Sequence, residues 1–151
     1  MTFEKIFYGT ECDCLKDTKE NVVDNFLRAF ENIDLNISDD DFKSLYELEI
    51  KPRNNNCEEI CSNRGVSVSK IDDSNKEFII KHFVKTFVFA PKIKKNFVVM
   101  FSFKKYSGKL KRTGNCKSRN PYHYEFYKSD EFTLQHIIEK EVIKLKDYVS
   151  N

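Results

Sequence analysis

The stretch Asn120-Pro-Tyr-His-Tyr-Glu-Phe-Tyr-Lys-Ser-Asp130 holds the side chains best suited to chemistry. On an extended strand His123, Glu125 and Tyr127 fall on one face, and Tyr122, Tyr124 and Phe126 on the other. A carboxylate beside an imidazole raises the imidazole pKa and fixes its tautomer. Lys109, Lys111 or Arg112 on a neighbouring strand would add charge stabilisation. Together they suit phosphodiester chemistry, with His123 as general acid or base. No paired-histidine motif or nucleophile elbow accompanies them, and an exposed or core-edge histidine is the plainer alternative.

Arg64 precedes Gly65-Val-Ser-Val on a loop entering a strand, with Ser67 and Ser69 nearby. An anion pocket there is a second candidate, without a glycine-rich phosphate loop to support it. Cysteine supplies a third. Cys12-Asp-Cys14 and Cys57-x3-Cys61 could give four thiolates to a metal, although zinc knuckles favour C-x2-C or C-x4-C. On a helix Cys57 and Cys61 would instead share the apolar face of Ile60. Cys116 sits beside Lys117 and Arg119, and positive neighbours lower a thiol pKa. No cofactor is implied.

Around these residues the charge is divided. Residues 78–124 hold twelve Lys or Arg and no Asp or Glu, in a chain with 24 acids. The first fifty residues hold thirteen acids against five bases, a net of −8. The overall charge of +2 hides this split. Blocks of one sign are statements about partners. Lys92, Lys94, Lys95, Lys104, Lys105, Lys109, Lys111, Arg112, Lys117 and Arg119 are the candidate polyanion contacts, attracting phosphates by counterion release. Tyr106 and Tyr122 are interleaved with them and could stack bases. Only two of the twelve are Arg, the residue that specific phosphate forks favour. The acids could neutralise this sheet internally, or Asp39-Asp40-Asp41 could meet a basic protein partner.

The elements that must position these groups follow from periodicity. Val22, Val23, Phe26, Leu27, Phe30 and Ile33 recur at helical spacing after the capping box Asp17-Thr-Lys-Glu20, predicting a helix over 18–33. A second helix is expected from Ser38, with acids in its first turn. A short helix carries Cys57, Ile60 and Cys61, and Gly65 stands where its C-cap would be. Val66 and Val68 begin a strand. Ser74-Asn-Lys-Glu77 caps a helix over 75–85, followed by a strand from Thr86 to Ala90. Phe97–Phe103 is apolar at both parities, as in a strand covered on both faces. Lys109–Thr113 should pair back on it after the turn at Tyr106-Ser-Gly108, and 122–127 adds another strand. Leu134, Ile138, Val142, Leu145 and Tyr148 form the stripe of a last helix.

The expected architecture is α+β: N-terminal helices, a central antiparallel β-meander of about 4–5 strands, and a C-terminal helix packed on the sheet. One globular domain over 1–151 is expected, with an acidic helical part about 1–63, a basic sheet part about 78–127 and the last helix about 132–148. No stretch approaches eighteen apolar residues, and the N-terminus lacks a basic flank with an apolar run. The expectation is therefore an intracellular protein without a membrane partner, its thiols mostly reduced. The leading functional expectation is a small binding protein that engages nucleic acid or another polyanion through a basic sheet. The alternatives are a protein-interaction module of the inhibitor, immunity or defence-associated kind, and a small His-dependent hydrolase or nuclease.

Overall fold

The computed structural model describes residues 1–30, 36–89, 95–115 and 117–149. Among them a short helix α1 (Glu4–Phe7) is followed by β1 (Asn25–Phe30), α2 (Cys57–Arg64), β2 (Val66–Ile71) and α3 (Lys76–Phe83). Then come β3 (Phe97–Phe103), β4 (Gly108–Arg112), β5 (His123–Lys128) and β6 (Ile137–Lys144). The six strands form one sheet in the order β4-β5-β2-β1-β3-β6, with every neighbouring pair antiparallel. The α+β class holds; the strand count is six rather than four or five.

Both faces of the sheet are covered. One carries Phe26, Phe30, Phe101, Phe103 and Phe126, closed by Phe42. The other carries Leu27, Ile71, Val98 and Ile143 beneath Ile79, Ile80 and Phe83 of α3. A third cluster, built from Phe3, Ile6, Cys14, Cys61 and Tyr127, joins the N-terminal segment and α2 to β5. The sheet curls strongly. Phe103 of β3 stacks on Phe126 of β5 with centroids 4.2 Å apart, although three interstrand steps on a flat sheet would separate those strands by about 14 Å. The curl also lets residues 104–107 carry the chain from β3 to the far edge strand β4.

Four expected elements differ. The helix over 18–33 is β1, the strand between β2 and β3. A strand buried on both faces loses its alternation, so the run Phe26–Phe30 fits either period; Val23, part of the expected stripe, is exposed. Ile33 lies outside the described residues. The helix from Ser38 shrinks to a 3-10 turn, Asp39–Phe42. The strand after α3 is a π-helical turn, Val84–Val88, with Ala90 outside the described residues. The last helix is β6, an edge strand. Its partners jump from Phe101↔Glu139 to Met100↔Glu141, which makes Lys140 an extra residue. That bulge resets the alternation, so Ile137 and Val142 face the same core at a spacing of five, while Ile138 of the expected stripe is exposed. Finally, β4 pairs with β5 and not with β3.

Candidate functional site

The β4–β5 pairing sets Lys109 opposite Tyr127, Lys111 opposite Glu125 and Arg112 opposite Tyr124. Lys109, Lys111, His123, Glu125 and Tyr127 thus share a face, while Leu110 and Phe126 enter the phenylalanine core. Helix α2 lies over that face. Asn56 caps it, its side chain accepting from the Glu59 amide at 2.9 Å. The Tyr127 hydroxyl donates to the Cys61 carbonyl at 3.0 Å, and the Ser62 hydroxyl donates to Glu125 Oε1 at 3.1 Å. Gly65 ends the helix with φ −93°, an ordinary value. Its requirement is close approach, because a Cβ there would stand 2.7 Å from Glu125 Oε2.

Between α2, β4 and the loop into β5 lies an open cleft of about 660 Å³. Lys111, Arg112, Ser118, Asn120 and His123 line its sheet side, and Cys57, Glu58 and Ser62 its helix side. Asp13 also contributes to the wall.

Glu125 lies at the base of this cleft. It is 4% exposed, and its Oε2 is buried without a hydrogen-bond partner among the described residues. Burial pushes its pKa up to about 7, against the Ser62 hydrogen bond and the attraction of Arg28, which both act downward. One oxygen is thus held by Ser62 and the other lies against Gly65.

His123 departs from the expected pairing. Its Nδ1 is hydrogen-bonded to the Thr113 hydroxyl rather than to Glu125. Its pKa is lowered, first by burial and then by the neighbouring charge of His82. Both causes act against the charged ring, and no carboxylate is hydrogen-bonded to it to raise its pKa.

The bases divide into groups. Lys111 and Arg112 line the cleft, and Lys117 and Arg119 are exposed on the loop beyond it. Lys109, one turn of the alternation back along β4, has its ammonium 5.8 Å from the Phe3 ring centroid. Lys104 and Lys105 are exposed at the other end of β4, with the exposed Tyr106. Among the described residues none of these seven bases forms an ion pair with a carboxylate. Lys95 lies over the Phe87 ring and lines a second groove together with Asn120 and His123. Lys92, Lys94 and Cys116 lie outside the described residues.

Two candidates are structural. Arg64 is buried; its Nη1 donates to the carbonyls of Ile6 and Tyr8, and its guanidinium stacks 3.9 Å from the Tyr46 centroid. It fastens α2 to the N-terminal segment and offers nothing to an anion. A neighbouring cleft of about 650 Å³ includes Arg64, but its other charges are matched. Lys128 pairs with Glu47, and Asp130 accepts from the Glu4 and Lys5 amides. Tyr122 is half-buried and packs edge-on against Phe78, so it is no free stacking platform.

The cysteines correct two expectations. Cys12 is bonded to Cys57 and Cys14 to Cys61, so the four are neither reduced thiols nor metal ligands. Among the described residues no group of three or more His, Cys, Asp or Glu could hold a metal ion. Disulfides persist where the environment is oxidising, which the expected reducing compartment is not. No described helix is long and apolar enough to cross a membrane.

Ser62, Thr113 and the proton chemistry of Glu125 carry no signature in the sequence. The bridges do carry one: two cysteines on each side, one pair at C-x-C and the other at i, i+4 on one helix face. No family model, no curated protein and no solved structure matches the chain. The functional reading therefore rests on this geometry.

Proposed function

We propose that the protein is a small binding protein that engages nucleic acid or another polyanion along β4 and the loop into β5. The observation that carries this reading is the uncompensated charge. Lys104, Lys105, Lys109, Lys111, Arg112, Lys117 and Arg119 lack ion-pair partners among the described residues. Lys111 and Arg112 open into a cleft whose neighbouring polar groups are Ser118, Asn120 and His123. Five residues of strand span about 14 Å, so the bases flank and follow a track long enough for an extended polyanion. Asp13 and Glu58 sit on the cleft wall, so a phosphate backbone is favoured on the side of the β4–β5 loop. Binding is favoured over catalysis because Glu125 is enclosed by Ser62 and Gly65, and because His123 is hydrogen-bonded to Thr113 and not to Glu125.

The test is retention on heparin, followed by affinity for a single-stranded oligonucleotide across a salt series. Retention falls steeply with salt. Lys111→Glu with Arg112→Glu weakens binding and lowers the slope of log affinity against log salt by about 1 for each phosphate no longer neutralised. No retention at low salt, or an unchanged slope in the double variant, contradicts the reading.

A further inference from the structure

The two disulfides are unequal in position. Both run from the Cys12-Asp-Cys14 segment to α2, one turn apart. Cys14 has no exposure, Cys61 8% and Cys12 9%, and all three belong to the cluster with Phe3, Ile6 and Tyr127. Cys57 is exposed and lines the cleft beside Lys111 and Arg112. An incoming thiolate must reach a sulfur from outside, roughly in line with the S–S bond, so access separates the two bridges before any difference in thiol acidity does.

The fold can spare the outer bridge. The inner bridge holds the middle of α2, the Tyr127 hydroxyl holds the Cys61 carbonyl, and Arg64 ties the helix end to Ile6 and Tyr8. The first turn of α2 keeps its Asn56 cap. Opening the outer bridge therefore frees the first turn of the helix and the Cys12 side chain, while the inner bridge, the Tyr127 hydroxyl and Arg64 still hold the rest of α2.

We propose that the Cys12–Cys57 bridge is a thiol-exchange site, at which an anionic low-molecular-weight thiol forms a mixed disulfide with Cys57 while Cys14–Cys61 remains intact. The thiolate sulfur attacks Cys57 Sγ; a new S–S bond forms, the Cys12–Cys57 bond breaks, and its electron pair leaves on Cys12 Sγ. Cys12 then takes a proton from water. A second thiol can complete the reduction, releasing the small-molecule disulfide and two protein thiols. Lys111 and Arg112 favour approach of a negatively charged thiol. Asp13 and Glu58 oppose a thiolate nearby, so access is the deciding factor and not an unusually acidic Cys57.

The folded protein is treated with reduced glutathione at neutral pH, released thiols are alkylated, and disulfide-linked peptides are mapped. The expected product carries glutathione on Cys57 and the alkyl group on Cys12, with Cys14 still bonded to Cys61. Adducts on Cys14 or Cys61, both bridges opening together, or no adduct overturns the proposal. At matched thiolate concentration and low salt, neutral 2-mercaptoethanol reacts more slowly than glutathione; equal rates overturn the charge-guided part. Cys12→Ser with Cys57→Ser keeps its far-ultraviolet circular dichroism and gains no adduct. Loss of fold in this variant marks the outer bridge as essential to α2 and also overturns the proposal.

Discussion

Glu125 is the residue whose environment departs furthest from what its chemistry favours. A carboxyl with one oxygen unpaired in the interior is destabilising when ionised, and burial accordingly raises its pKa to about 7 from 4.5. The pH dependence follows from the sign. The unfolded chain releases this proton near 4.5 and the folded chain near 7, so folding retains a proton between them. The contribution of this one group to stability is fully present below about pH 4.5, is lost as pH rises through that window, and levels off above 7. The difference amounts to about 3 kcal/mol at pH 8. Glu125→Gln keeps an acceptor for Ser62 and removes the charge. It is expected to be more stable than the parent at about pH 8 by up to that amount, with the gain vanishing below about pH 4. Urea unfolding at both pH values measures this, and equal pH dependence in the two proteins contradicts it. His123 and Glu125 are visible as a pair in the sequence, but their roles are not. The expected mutual hydrogen bond depends on which groups lie across the strands, and there Thr113 and Ser62 intervene.

At the level of elements, α2 is the clearest link between sequence and site. Its cysteine face and its terminal glycine are both legible. The reason for Gly65 is not, because a left-handed turn and a close contact ask for the same residue. Gly65→Ala drives a methyl group toward Glu125 Oε2 and toward the Tyr127 ring, 3.3 Å from the Cβ position. The expected destabilisation is about 1–3 kcal/mol, the usual range for overpacking, read as a lower urea midpoint; an unchanged midpoint contradicts the close approach. Other elements mislead for identifiable reasons. β1 is apolar on both faces, so its spacing carries no strand signature. β6 contains the bulge at Lys140, which breaks the two-residue period, and the helical spacing of Leu134, Ile138, Val142 and Leu145 joins residues that lie on different faces. The pairing of β4 with β5 rather than β3 depends on the curl, which brings Phe103 onto Phe126 and has no local sequence signal.

For the whole molecule, acids and bases are only partly separated: Asp13 and Glu58 share the cleft with Lys111 and Arg112, and Glu20 accepts from the Tyr106 amide. The acids of the first fifty residues pair locally, as in Asp40 with Lys43, or with bases outside the track, as in Asp24 with Lys70 and Glu47 with Lys128. Among the described residues none forms an ion pair with the bases of β4 and its flanks. Direct ion pairing thus does not account for those bases, and an external polyanion is the partner proposed for them. The most direct measurement is a backbone-amide NMR titration with a short single-stranded oligonucleotide at low salt. The account predicts shifts concentrated at Lys109–Thr113 and Ser118–His123, reversed by added salt. No shifts at saturating oligonucleotide, or shifts confined to the acidic Asp39–Phe42 turn and its surroundings, would contradict it.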